Sequence, residues 1–137
     1  MGCSVVGADL CLRCRARRTK PRRTFCGGLV EETELQNRGL LFGFGAEYRR
    51  LTTVLPCLAW GLMLLSFLLE KSFRGPLFCL LLGGGANLAE RLRRGAVTDY
   101  LRFPRLPGRA GRLVWNCSDF LLLFGAVAVI IRLLRKP

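Results

Sequence analysis

The sequence predicts an all-α integral membrane helical bundle with three clear spans and a shortened first. Three observations carry this expectation. The chain is 51% hydrophobic, with a mean hydropathy of +0.31. It nevertheless holds 22 Lys+Arg against 9 Asp+Glu, a net charge of +13 in 137 residues. The apolar residues gather into runs about one bilayer thick and the charges fall between the runs, which membrane insertion explains and a small soluble core does not. The length suits a single domain, residues 1–137.

Residues 1–12, MGCSVVGADLCL, are mildly apolar but too short to cross a bilayer as a helix. RCRARRTKPRR follows and is plainly polar, so residues 1–27 read as a shortened first span and a basic segment. Residues 28–44 partly alternate and contain several glycines, which predicts short strands and a turn. Residues 51–69 form the first clear span. A polar turn, EKSFRG, separates it from a span over 76–92, with Pro76 suited to a helix's first turn. The triplet Gly83-Gly84-Gly85 lets backbones approach closely in a bundle. Residues 93–113 read as a basic loop with Pro104 and Pro107, and residues 114–134 as the last span.

Basicity alone could mean nucleic acid. Here the arginines flank apolar runs without interleaved aromatics, so no nucleic-acid partner is expected. Cys11-Leu-Arg-Cys14 is a lone CxxC. With Cys3 and Cys26 it offers four thiolates, but at irregular spacing and with no histidine, so no metal is expected. The absence of histidine also removes the usual base of Ser-His and Cys-His pairs.

Polar residues in or beside apolar spans are functional candidates. Asn87, Glu90 and Arg91 share a helical face, as do Asn116 and Asp119. Asp99 lies between the two groups. Glu70 belongs to one end of the bundle, whereas Glu90, Asp99 and Asp119 belong to the other. Each has an ordinary alternative. Asn116 or Ser118 could cap a helix with Asp119 in its first turn. Glu90 and Arg91 could be solvated, and Asp99 could pair with neighbouring arginines. Together, two aspartates at one membrane face suggest a dyad in which one carboxyl holds a proton while the other is charged.

Four elements in order resemble the signal peptidase II family. They are Gly83-Gly84-Gly85, Asn87-Leu88-Ala89-Glu90-Arg91, Gly95-Ala96-Val97-Thr98-Asp99-Tyr100 and Trp115-Asn116-Cys117-Ser118-Asp119. A fifth, upstream element, Asn37-Arg38-Gly39-Leu40-Leu41-Phe42-Gly43, is similar to the family's Asn-x-Gly-x-x-Phe-Gly. Asp9…Arg13 matches the family's Asp-x-x-x-Lys weakly, and Glu90 stands where the family has Asp. The resemblance covers about residues 28–134.

It implies an intramembrane aspartic endopeptidase that removes the signal peptide from diacylglyceryl-modified prolipoproteins. The catalytic aspartates would be Asp99 and Asp119, with Asn37, Asn87, Arg91 and Asn116 shaping the site. It further implies a β cradle on the extracytoplasmic side, placed at 28–50, and no cofactor. The setting would be a bacterial inner (plasma) membrane crossed several times. Partners would be lipidated prolipoproteins and membrane lipid, with the chain a monomer. A catalytically impaired membrane-binding relative is the alternative.

Charge and resemblance disagree on orientation. Residues 13–50 hold ten Lys/Arg and 91–112 hold seven, which the positive-inside rule would place in the cytoplasm. The resemblance puts both termini there instead.

Overall fold

The computed structural model describes residues 2–19, 23–40, 44–48 and 50–135. Leu41, Phe42 and Gly43, the end of the upstream element, lie outside the described residues, as does the Cys3 side chain. The chain is mostly helical with one small antiparallel sheet. Helices are α1 (Gly2–Thr19), α2 (Leu51–Leu69), α3 (Arg74–Arg94) and α4 (Cys117–Leu134). Strands β1 (Arg23–Phe25), β2 (Val30–Asn37), β3 (Val97–Arg102) and β4 (Val114–Trp115) pair in the order β1-β2-β3-β4.

α2 and α4 are long and apolar enough to cross a membrane. Only 6% and 11% of their spanning windows are buried against protein, unlike the core helices of a soluble domain. Leu58, Leu62, Leu65 and Leu69 point outward along α2, where hydrocarbon would solvate them.

Several expected boundaries move. α1 runs through the basic segment to Thr19, because Arg13 and Arg17 find partners on other elements instead of water. The 93–113 loop contains β3 and β4 follows it, so of the four strands only β2 lies within 28–50. β2 is a bulged strand that needs partners on both edges. β1 also precedes residue 28, and the described residues 38–50 add no strand. The last helix begins at Cys117 rather than 114, since Asn116 is extended (φ −125°, ψ 168°) and caps it.

α3 is longer than the predicted 76–92. It stops at Gly95, whose left-handed φ of 75° lets its N–H reach the Arg91 carbonyl. With Glu90, Arg91, Arg93 and Arg94 in its last turns, α3 falls short on apolar character, so two rather than three described helices meet the length-and-composition test.

The glycine triplet divides its work. A Cβ on Gly83 would sit 2.5 Å from the Ser118 carbonyl oxygen, so α3 and α4 touch backbone to backbone there. Gly84 and Gly85 face Trp60 of α2, whose indole N–H donates to the Leu81 carbonyl at 3.0 Å. Gly83→Ala should therefore cost about 1–3 kcal/mol through overpacking. Gly84→Ala, whose Cβ would meet Trp60 at 3.5 Å, should be neutral or gain up to about 1 kcal/mol of helix propensity. Unfolding of the two variants in detergent micelles checks the contrast.

Candidate active site

β3 organises the site by strand alternation. Asp99 and Val97 face one side, while Thr98 and Tyr100 face the other. Thr98 and Tyr100 tie the strand to the helices. The Thr98 hydroxyl donates to Glu90 at 2.8 Å, and the Tyr100 hydroxyl donates to Asp9 at 2.7 Å. Burial, then its bonds to Cys117 and Asp9, push the Tyr100 phenol's pKa upward and keep it a neutral donor. Asp99 is left facing an apolar recess with 3% of its surface exposed.

A register shift in β2 aims Asn37 at this carboxylate. Glu32 opposes Leu101, but Leu35 opposes Asp99 and Asn37 opposes Val97, so a bulge lies between Glu32 and Leu35. Without the extra residue, Glu34 and Gln36 would occupy the Asp99 face and Asn37 the other, because a one-residue slip reverses the faces. With it, Asn37 is a diagonal neighbour of Asp99, and its amide donates to Oδ2 at 3.1 Å. The Asn37 carbonyl accepts the Gly39 N–H at 3.0 Å, fixing which end of the amide faces Asp99.

The start of α4 supplies the second carboxylate. Asn116 accepts the Asp119 N–H at 3.0 Å, and Asp119 accepts the Asn116 N–H at 2.9 Å, a reciprocal capping box. The ordinary capping alternative thus describes this turn, yet Asn116 does more. Its amide donates to Asp99 Oδ1 at 2.6 Å, linking the two aspartates through one fully buried side chain. Asp119 Oδ1 accepts from the Asn87 amide at 3.0 Å. Arg91 is buried and donates to the Gly39 carbonyl, holding the turn after β2. Asp99 is bonded by these asparagines rather than by its arginine neighbours, and neither Glu90 nor Arg91 is solvated.

All six residues singled out from the sequence thus meet at one place: Asn37, Asn87, Arg91, Asp99, Asn116 and Asp119. Asp99 and Asp119 separate two apolar recesses. One, of about 200 Å³, has Trp60, Met63 and Leu88 in its wall; the other, of about 440 Å³, has Trp115, Leu123 and Ala126. Asn37, Leu40 and Leu122 border both. Burial, then the neighbouring Asp119 charge, raise the Asp99 pKa to about 7, although its bonds from Asn116 and Asn37 oppose the shift. Two acids beside apolar clefts, one protonated near neutrality, can perform general acid–base chemistry.

Behind the site lies a buried ionic cluster that the sequence shows only as the weak Asp9…Arg13 match. Arg13 is fully buried. Its guanidinium donates to Asp9 at 2.8 Å, Glu90 at 2.5 Å and the Asn87 carbonyl oxygen at 2.6 Å. That last bond leaves the Asn87 NH₂ free to face Asp119. Asp9 also accepts from the Ser118 hydroxyl at 2.6 Å and the Cys117 N–H at 3.1 Å, and so sits at the positive end of α4. The available signal was an i,i+4 acid–base pair in an otherwise apolar stretch. Among the described residues no group of three metal-ligating side chains converges.

A family profile described as signal peptidase (SPase) II matches residues 3–135. No curated protein matches significantly. Two solved structures, each titled as a bacterial membrane enzyme determined in meso, share the fold. One has a TM-score of 0.85 at 18% identity, covering 98% of this chain and 85% of the other. The second has a TM-score of 0.84 at 17% identity, covering 99% and 91%.

Proposed function

The chain belongs to the signal peptidase II family, and from that premise we propose that it cleaves lipidated prolipoproteins with Asp99 and Asp119 as the catalytic pair. The observation that carries this reading is the Asn116 side chain, which bonds one aspartate and caps the helix bearing the other. No nucleophilic side chain is needed. Asp119, half-buried and bordering both recesses, takes a proton from a water molecule as its oxygen attacks the scissile carbonyl. Asp99 gives its proton to the carbonyl oxygen, which makes the tetrahedral diol neutral. As the C–N bond breaks, Asp119 passes the proton taken from water to the departing nitrogen, and Asp99 regains a proton from the collapsing diol. The signal peptide ends in a new carboxyl group, whose proton passes to the freed amine. Asn37, Asn87, Asn116 and Arg91 orient the carboxyls and the wall around them.

Two apolar recesses flanking one acid pair suit a substrate with two apolar arms, a signal helix and a diacylglyceryl group. α1 and α3 complete a multi-pass bundle in the bacterial plasma membrane, with the sheet on its outer side and the chain acting as a monomer. The test is cleavage by purified protein of a prolipoprotein carrying the diacylglyceryl cysteine, beside the same precursor unmodified. The expected product begins at the lipidated cysteine, and the unmodified precursor stays intact. Equal cleavage of both would show that the lipid arm plays no part in recognition.

The pH dependence has a defined sign. The dyad needs one proton, and Asp99 holds it until pH reaches about 7. Turnover should fall about tenfold per pH unit well above that point. The same shift affects stability. The folded state binds more protons than the unfolded state between the ordinary carboxyl value of 3.8 and about 7, so this group's contribution declines as pH rises through that window. A pH–rate profile with the lipidated precursor checks the first effect. Detergent-phase unfolding between pH 4 and 8 checks the second.

A further inference from the structure

α3 presents a second furrow on the face opposite the aspartates. Asn87, Leu88 and Arg91 look toward the acid pair, whereas Leu82, Ala89 and Arg93 line a separate cleft of about 500 Å³ against α1. On α1, Val6, Leu10, Cys14 and Arg17 recur at helical spacing and form the facing wall. The furrow is apolar along most of its length, and it stays open because Ala86 and Ala89 leave space that larger residues would fill. Its other end is charged. Glu90 reaches this end, but its oxygens are occupied by Arg13, Arg17 and Thr98. Arg17 is likewise engaged. Arg93 and Arg94 are exposed, and among the described residues neither forms an ion pair.

The charge sits at a definite depth. The 21 residues of α3 rise about 31 Å, close to the roughly 30 Å hydrocarbon thickness. With Arg74 at one surface, Arg93 and Arg94 reach headgroup level at the other. An apolar trough ending in two exposed guanidinium groups at that level matches an acyl chain joined to a phosphate. We propose that the furrow between α1 and α3 is a binding site for one anionic phospholipid. One acyl chain lies along Val6, Leu10 and Ala89, and the phosphate meets Arg93 and Arg94. The site is separate from the cleavage reaction, so its test needs no peptidase assay.

The test is native mass spectrometry of the purified full chain after equilibration in mixed micelles of phosphatidylglycerol and phosphatidylcholine at equal amounts. One phosphatidylglycerol should be retained in preference. Arg93→Gln/Arg94→Gln should weaken that preference about tenfold or more. Ala89→Trp, which fills the trough without changing charge, should weaken it as well. Arg109→Gln/Arg112→Gln removes two exposed charges elsewhere and should leave it intact. An unchanged preference in either furrow variant overturns the proposal. So does an equal loss in the distant pair, which would reduce the effect to general charge attraction.

Discussion

Asp99→Asn and Asp119→Asn are each expected to lower turnover of a lipidated prolipoprotein by on the order of 10³-fold or more while leaving the protein folded. Both amides keep the size of the side chain, and the amide oxygen introduced by Asp119→Asn could still accept the Asn116 N–H within the capping box. For Asp119→Asn the stability change should therefore stay near the roughly 1 kcal/mol typical of a weakened cap, whereas Asp99→Asn sets one NH₂ against an amide that now donates to Asp99 and should cost about 1–3 kcal/mol. The loss of activity has two different origins. Without the Asp119 carboxylate no group at the junction of the recesses takes the proton from water. Without the Asp99 carboxyl no acid faces the carbonyl oxygen. Asp99→Asn should also flatten the fall in rate above about pH 7, because that limb belongs to the Asp99 proton. Single-turnover kinetics, with melting curves for each variant, separate chemistry from folding.

The largest effect on stability is expected at Arg13. Arg13→Met would leave Asp9 buried without a cation and would take one of two cations from Glu90. Breaking a buried pair in this way costs about 3–5 kcal/mol, more than the pair's net worth, because an uncompensated charge stays behind. Asn87 would also lose the bond that sets its amide, so activity should fall even where folding survives. Arg13→Lys keeps the charge but cannot serve three acceptors in the fixed directions of a guanidinium, and should lie between wild type and Arg13→Met. In the double variant Arg13→Met/Asp9→Leu the stranded carboxylate is gone. Its loss should be smaller than the sum of the two single losses, by a coupling of about 1–3 kcal/mol. Unfolding in detergent micelles of wild type, Arg13→Met, Arg13→Lys, Asp9→Leu and the double variant measures these differences.

Much of this arrangement is legible in the chain, and what is hidden has physical causes. The spans at 51–69 and near 117–134 follow from apolar runs alone. Asn87, Arg91, Asp99, Asn116 and Asp119 could be chosen because polar groups at the edge of a membrane span need partners, whereas Asn37 was singled out only by the family resemblance. What periodicity could not show was strand pairing across sixty residues. β3 looks like a loop because its sequence, VTDYLR, gains its meaning only beside β2. The bulge that turns Asn37 toward Asp99 is a register event, invisible without the partner strand. α1 was hidden for a related reason. A run of arginines reads as water-facing until Glu90 is brought alongside, and only the fold does that. Asn116 shows the limit of choosing between a structural and a functional role, since one side chain performs both.

The central claim is that Asp99 and Asp119 together make this chain a prolipoprotein signal peptidase. Its most direct measurement is prolipoprotein processing in a bacterial strain lacking signal peptidase II, expressing this chain or either asparagine variant at equal membrane levels. Wild type should restore mature lipoprotein, and Asp99→Asn and Asp119→Asn should leave the precursor uncleaved. Mature lipoprotein accumulating with either variant at the wild-type rate would contradict the dyad.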